Sequence, residues 1–69
     1  MNGCRFLLLD EVLERTGLSR TMLYELIAEG KFPRPVKLGL RRNAWVDLEV
    51  DGWMADRIAE RDEASALSV

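Results

Sequence analysis

Residues 11–30 read "EVLERTGLSRTMLYELIAEG", and the glycine in their middle decides the fold. At Gly17 a residue able to take a positive φ lets the chain leave one helix and turn sharply into the next. Ser19 has a side chain able to accept from the free amides at the start of a second helix, "RTMLYELIAE", which stops at Gly30. Upstream, Asp10 is the expected N-cap of a first helix through "EVLERT", with Glu11 favourably placed at its positive end. The spacing therefore predicts two short helices joined by a "TGLS" turn. Val12 lies five residues before Gly17, and Leu18, Leu23 and Leu26 lie one, six and nine after it. These are the offsets at which two steeply crossing helices share one small apolar knot. Leu13 stands where a tight crossing favours a small residue, so either the crossing is wide or Leu13 turns towards another part of the core.

On the N-terminal side, "RFLLL" at residues 5–9 reads as an extended lead-in whose apolar side chains cover the core. On the C-terminal side, "KFPRP" cannot be helical, because each proline removes a donor and holds the residue before it extended. "VKL" alternates apolar, basic, apolar and reads as a half-buried strand, "GLRRN" as a loop and "AWV" as the return strand, together a small β-hairpin. Asp47 caps a third helix, "LEVDGWMADRIAER", in which Val50, Trp53, Met54 and Ile58 recur at helical spacing and close over the first two helices. Phe32, Trp45 and Trp53 are expected in the core, with "FPRP" as a rigid corner that aims the hairpin back at the helices. The expected organisation is a lead-in at residues 1–9, one domain at 10–61, and an acidic, frayed tail at 62–69. The fold class is mainly α with a small β-hairpin, a winged helix-turn-helix.

Composition excludes several functions. The 69 residues include one cysteine and no histidine, so there is neither an internal disulfide nor a Cys/His zinc set nor a histidine base, and no enzyme chemistry, metal or cofactor is expected. The longest apolar run, "FLLL", is broken at once by Asp10 and Glu11, so no signal segment or spanning helix is expected and the chain is assigned to the cytoplasm. The formal net charge of −2 conceals a segregation. From Arg15 to Arg42 seven cations stand against two carboxylates, a net of +5, while elsewhere three cations stand against ten carboxylates, a net of −7. A basic region of this kind is either ordinary solvated charge or a phosphate-binding face.

The helix-turn-helix pattern gives that charge a geometry. Arg20, Thr21 and Tyr24 fall on one side of the second helix, away from Leu23, Leu26 and Ile27. Arg20 is the candidate for a bidentate contact to guanine, and Thr21 for a phosphate or a thymine methyl. Tyr24 either packs half-buried with its hydroxyl in water or reaches a phosphate or sugar. Lys37, Arg41, Arg42 and Asn43 form the expected wing, placed for phosphate contact. The acidic remainder either keeps the chain soluble, or docks an integrase or RNA polymerase, or meets the basic face of a second copy on DNA.

The span "RFLLLDEVLERTGLSRTMLYELIAEGKFPRPVKLGLRRNAWVDLEVDGWMADRIAER" resembles the AlpA family of phage and prophage transcriptional regulators, relatives of the excisionases and of MerR-type DNA-binding domains. "TGLSRTMLYELI", "EGKFPRPVKLG" and the spaced "W" and "EVDGWMADR" carry the resemblance. It implies a small winged-helix protein of a mobile element that binds double-stranded DNA in a bacterial host, as transcriptional activator or as recombination directionality factor. It also implies that Ser19, Arg20, Thr21 and Tyr24 belong to the recognition helix, and Lys37, Arg41 and Arg42 to the wing. The alternative left by the residues is a protein-interaction module, antirepressor-like, working through the acidic third helix.

Overall fold

The computed structural model describes residues 3–67. In chain order the elements are β1 (Phe6–Leu7), α1 (Leu9–Thr16), α2 (Arg20–Ala28), β2 (Val36–Lys37), β3 (Asn43–Val46) and α3 (Asp47–Leu67). The molecule is mainly helical and carries a small antiparallel sheet in the order β1-β3-β2.

The α1–turn–α2 unit is specified end by end through local chemistry. Gly17, at φ 78°, donates its backbone N–H to the Leu13 carbonyl and closes α1 in a left-handed cap. Ser19 Oγ accepts from Met22 N–H at 3.1 Å and starts α2. At the far end Gly30, at φ 74°, donates to the Ile27 carbonyl and Lys31 N–H donates to the Leu26 carbonyl, the paired bonds of a Schellman ending. The start of α1 departs from expectation. Its N-cap is Leu8, and Asp10 lies inside the first turn. Glu11 does the satisfying instead, its carboxylate accepting from Leu8 N–H at 2.9 Å while its second oxygen holds the Arg5 guanidinium at 2.9 Å. A glutamate three residues past the cap reaches back over one turn, which an aspartate already within the helix cannot do.

The lead-in is a structural strand. Phe6 pairs with Val46 and Leu7 with Trp45, so the expected hairpin becomes a three-stranded sheet with β3 at its centre. Asp47 fastens the same edge, its backbone N–H donating to the Arg5 carbonyl and its Oδ1 accepting from Arg5 N–H at 3.0 Å and from Leu48 N–H at 2.8 Å. Two residues of strand are too short to show a period, which is why the pattern alone reads as a lead-in.

Leu7, Val12, Leu23, Phe32, Trp45 and Val50 form the buried core, with Leu9, Leu13, Leu18, Leu26, Ile27, Trp53 and Met54 packed against it. Leu13 thus shares the core while Val12 sits at its centre. Both indoles are tied to the proline corner: Trp45 Nε1 donates to the Pro33 carbonyl at 3.1 Å and Trp53 Nε1 to the Lys31 carbonyl at 2.8 Å. Phe32 meets Trp53 edge to face, with ring centroids 4.9 Å apart. The corner is thus held by two indole hydrogen bonds, one of them to Pro33, which lacks an N–H but keeps its carbonyl.

α3 differs from expectation in length and in one core residue. It continues through 62–67, where a frayed tail was expected, while 68 and 69 lie outside the described residues. Alanine, glutamate and arginine are good helix formers, and Arg57 pairs with Glu60 one turn on at 2.6 Å. Ile58 is 51% exposed and does not close over the core. At 1.5 Å per residue a helix of 21 residues runs about 31 Å, and its packing onto the core ends at Met54.

Candidate nucleic-acid interface

The site is built where the middle of α2, at Tyr24, and the β2–β3 hairpin stand beside each other. Tyr24, Arg41, Arg42 and Asn43 line one concavity of about 310 Å³ together with Leu8, Leu9 and Trp45. Four of the eight residues singled out from the sequence are thereby brought together, two elements apart in the chain. Tyr24 is 42% exposed, and its hydroxyl makes no hydrogen bond within the described residues. Its ring packs on the concavity and its polar end is left for something outside.

Ser19, Arg20 and Thr21 lie outside that concavity, in the first turn of α2 and at its cap. Ser19 Oγ is engaged as an acceptor by Met22 N–H, which leaves its own proton free to donate. Arg20 and Thr21 are exposed, and no acid accompanies them in that turn. Lys37 pairs across the hairpin with Asn43, and Val36 with Ala44. Leu38 N–H donates to the Arg42 carbonyl at 2.8 Å and closes the loop, so the Arg42 backbone is fixed while its guanidinium is unpaired. The indole of Trp45, buried at the centre of the sheet and tied to Pro33, sets where the hairpin stands relative to α2.

Charge pairing sharpens the electrostatics beyond a count. Arg15 reaches Asp51 on α3 at 2.9 Å, Lys31 lies 3.6 Å from Glu29, and Arg5 is held by Glu11. Arg57 and Arg61 are paired with Glu60 and Asp62. Among the described residues Arg20, Arg34, Lys37, Arg41 and Arg42 form no ion pair. All five belong to α2, the proline corner or the hairpin. The Glu11 carboxyl is held below its ordinary 4.5, chiefly by the Leu8 N–H it accepts, against the opposing effect of desolvation and with smaller contributions in the same direction from Arg5 and then Arg15.

Four positions were not assigned to the site from the sequence. Arg34 was counted only as part of the basic segment; it is exposed beside Lys31 and Arg57 on a second groove, and the prolines on both sides, which hold its backbone extended, were the available signal. Leu8 and Leu9 line the concavity with no signal to distinguish them from core. Leu40 stands fully out at the hairpin tip. Among the described residues no three Cys, Asp or Glu side chains cluster as a metal site, and no helix is long and apolar enough to cross a membrane.

A small helical domain with a strand hairpin beside its second helix, and with its unpaired cations gathered on those two elements, is the class this geometry defines. The chain belongs to the family described as prophage CP4-57 regulatory protein (AlpA), whose pattern matches residues 5–58. It is 53% identical over 57 residues to the uncharacterized protein ORF88 of Enterobacteria phage P4, a match covering 83% of this chain and 65% of that relative, so the chain spans about two thirds of the phage protein's length. It is 29% identical over 62 residues to the DNA-binding transcriptional activator AlpA of Escherichia coli K12, covering 81% of this chain and 89% of that protein. No solved structure matches the chain.

Proposed function

We propose that this protein is a winged helix-turn-helix regulator that binds duplex DNA sequence-specifically and acts on transcription. The observation that carries the reading is the set of five unpaired cations on α2, the corner and the hairpin, in a chain whose remaining described cations are paired. α2 enters a major groove with its first turn towards the bases, where Arg20 takes guanine and Thr21 a phosphate or a thymine methyl. Ser19 and Tyr24 donate to phosphates from the edges of the same helix, and Lys37, Arg41, Arg42 and Asn43 follow the neighbouring backbone as the wing. Similarity to an E. coli protein named as a DNA-binding transcriptional activator supports the same role. No step of this reading requires catalysis, metal or cofactor, and it operates in the bacterial cytoplasm.

Binding to labelled duplex over a salt series tests it. With Arg20 on guanine and phosphate contacts from the other four unpaired cations, Arg34, Lys37, Arg41 and Arg42, log K falls against log salt with a slope of about −3.6. Footprinting on the DNA of the encoding element then gives the address: protection over a promoter supports the regulator, whereas protection over an attachment site supports an excisionase-like directionality factor working with an integrase. The competing reading is an antirepressor-like interaction module. The stretch of α3 beyond Met54, exposed throughout 55–65, favours it as a surface for RNA polymerase, integrase or a second copy. A flat salt response, or no binding at low salt, removes the DNA reading in its favour.

A further inference from the structure

Leu40 is 99% exposed at the apex of the β2–β3 hairpin. Single exposed leucines are ordinary on protein surfaces; the position of this one is what distinguishes it. The Leu38–Arg42 backbone bond closes the loop at its base, so residues 39–41 are the tip and Leu40 is its outermost side chain. Lys37, Arg41 and Arg42 surround it without an ion pair among the described residues. Val36 and Leu38, two apart on one side of the strand, are also more than a third exposed, so an apolar edge leads up to the tip between the cations.

We propose that Leu40 is a wedge: the hairpin tip enters the minor groove beside the α2 site, and Leu40 inserts between two base pairs and kinks the duplex. The proposal rests on the DNA-binding reading above. A two-stranded ribbon is wider than the minor groove of about 6 Å, so entry of the tip needs the opening that a kink towards the major groove supplies. The cations beside the tip reach the phosphates of the two strands and hold it in the groove. Leu40 itself has no donor or acceptor to read base edges, so what its side chain can do in the groove is unstack a step. Apolar wedges of this kind kink duplexes by about 20–90°. The step entered is pyrimidine–purine, TA or CA, where unstacking costs least.

The test uses a duplex selected from a random pool by the full chain, labelled at both ends for energy transfer and carrying 2-aminopurine at a TA or CA step. Wild-type protein brings the ends together and brightens the 2-aminopurine. Leu40→Ser, which removes no contact within the fold, binds within about tenfold of wild type, because the burial of one leucine is offset by the cost of unstacking. It loses both signals, and Leu40→Phe retains them. A Leu40→Ser complex as bent and as bright as wild type overturns the wedge, as does wild-type binding without either signal. Loss of side-by-side occupancy by Leu40→Ser with the bend intact assigns the leucine to contact between copies and also overturns it. Failure of wild-type protein to select any duplex removes the DNA-binding reading itself, and is thereby distinct from binding without a kink.

Discussion

Arg41 and Arg42 on the hairpin and Arg57 and Arg61 on α3 are two pairs of exposed arginines in one small protein, and their surroundings differ. The α3 arginines are answered on their own helix by Glu60 and Asp62, and Arg57 also lies 5.4 Å over the Trp53 ring. The hairpin arginines have no such partner among the described residues. A cation already neutralised by a neighbour contributes little to attraction at a distance, while an unpaired one retains its field and its donors. Net charge says little here; the pairing pattern separates a surface that holds itself together from one that is available to a polyanion.

The comparison can be broken first at the hairpin's anchor. Trp45 is fully buried and ties the sheet to Pro33, so Trp45→Ala should cost about 3–5 kcal/mol. At roughly 0.05–0.15 kcal/mol per residue the whole domain has about 3–10 kcal/mol, so that cost is a large share of its stability. Urea unfolding measures it, and a loss below about 1 kcal/mol would mean that the hairpin is placed by something other than the indole. Next come the arginines. Arg20→Ala should weaken duplex binding by ~1–3 kcal/mol and relax preference at one base pair, whereas Arg41→Ala should weaken all sequences alike and flatten the salt slope by about one unit. Arg57→Ala is the control and should leave both unchanged. Equal losses for Arg41 and Arg57 in a binding titration would dissolve the distinction between paired and unpaired cations.

The smallest effect concerns Glu11, which joins the β1 edge to the start of α1. Its carboxyl binds a proton more weakly in the folded chain than in the unfolded one, so acid favours the unfolded state. Stability from this group is complete above about 4.5 and is lost as pH falls below that value through the folded one. Glu11→Gln should flatten that part of the stability curve, measured by thermal melts between pH 3 and 6, and leave DNA binding at neutral pH as it was. A curve as steep as wild type would assign acid sensitivity to other carboxylates.

How legible the protein was depends on the reach of each interaction. Gly17, Ser19 and Gly30 act on backbone groups within one turn, so their residue types at their spacing announced both helix ends. Glu11 could have announced the true start of α1, yet Asp10 beside it offered the more familiar capping residue. Ile58 kept the helical period of Val50 and Met54 but lies beyond the point where α3 leaves the body, and no period reveals where a helix runs out of partners. The expected site residues on α2 and the hairpin were named by charge and position; that Tyr24 would share a concavity with Arg41, Arg42 and Asn43 was not.

By itself the sequence determined the Gly17, Ser19 and Gly30 helix ends, the proline corner, the hairpin after it and the concentration of cations between Arg15 and Arg42. These depend on backbone conformations and side-chain types that act over a few residues, whereas Val36 and Leu38, expected on the half-buried side of a strand, are both exposed. Only the tertiary structure decided that β1 completes the sheet, that both indoles fasten the corner, which cations are consumed by carboxylates, and which remain beside Tyr24 at the hairpin. The strand pairing, an indole bond and one of the ion pairs join residues far apart in the chain, as Arg5 with Asp47, Trp53 with Lys31 and Arg15 with Asp51, while the remaining ion pairs are local. A local pattern carries no information about such partners until the core has brought them together.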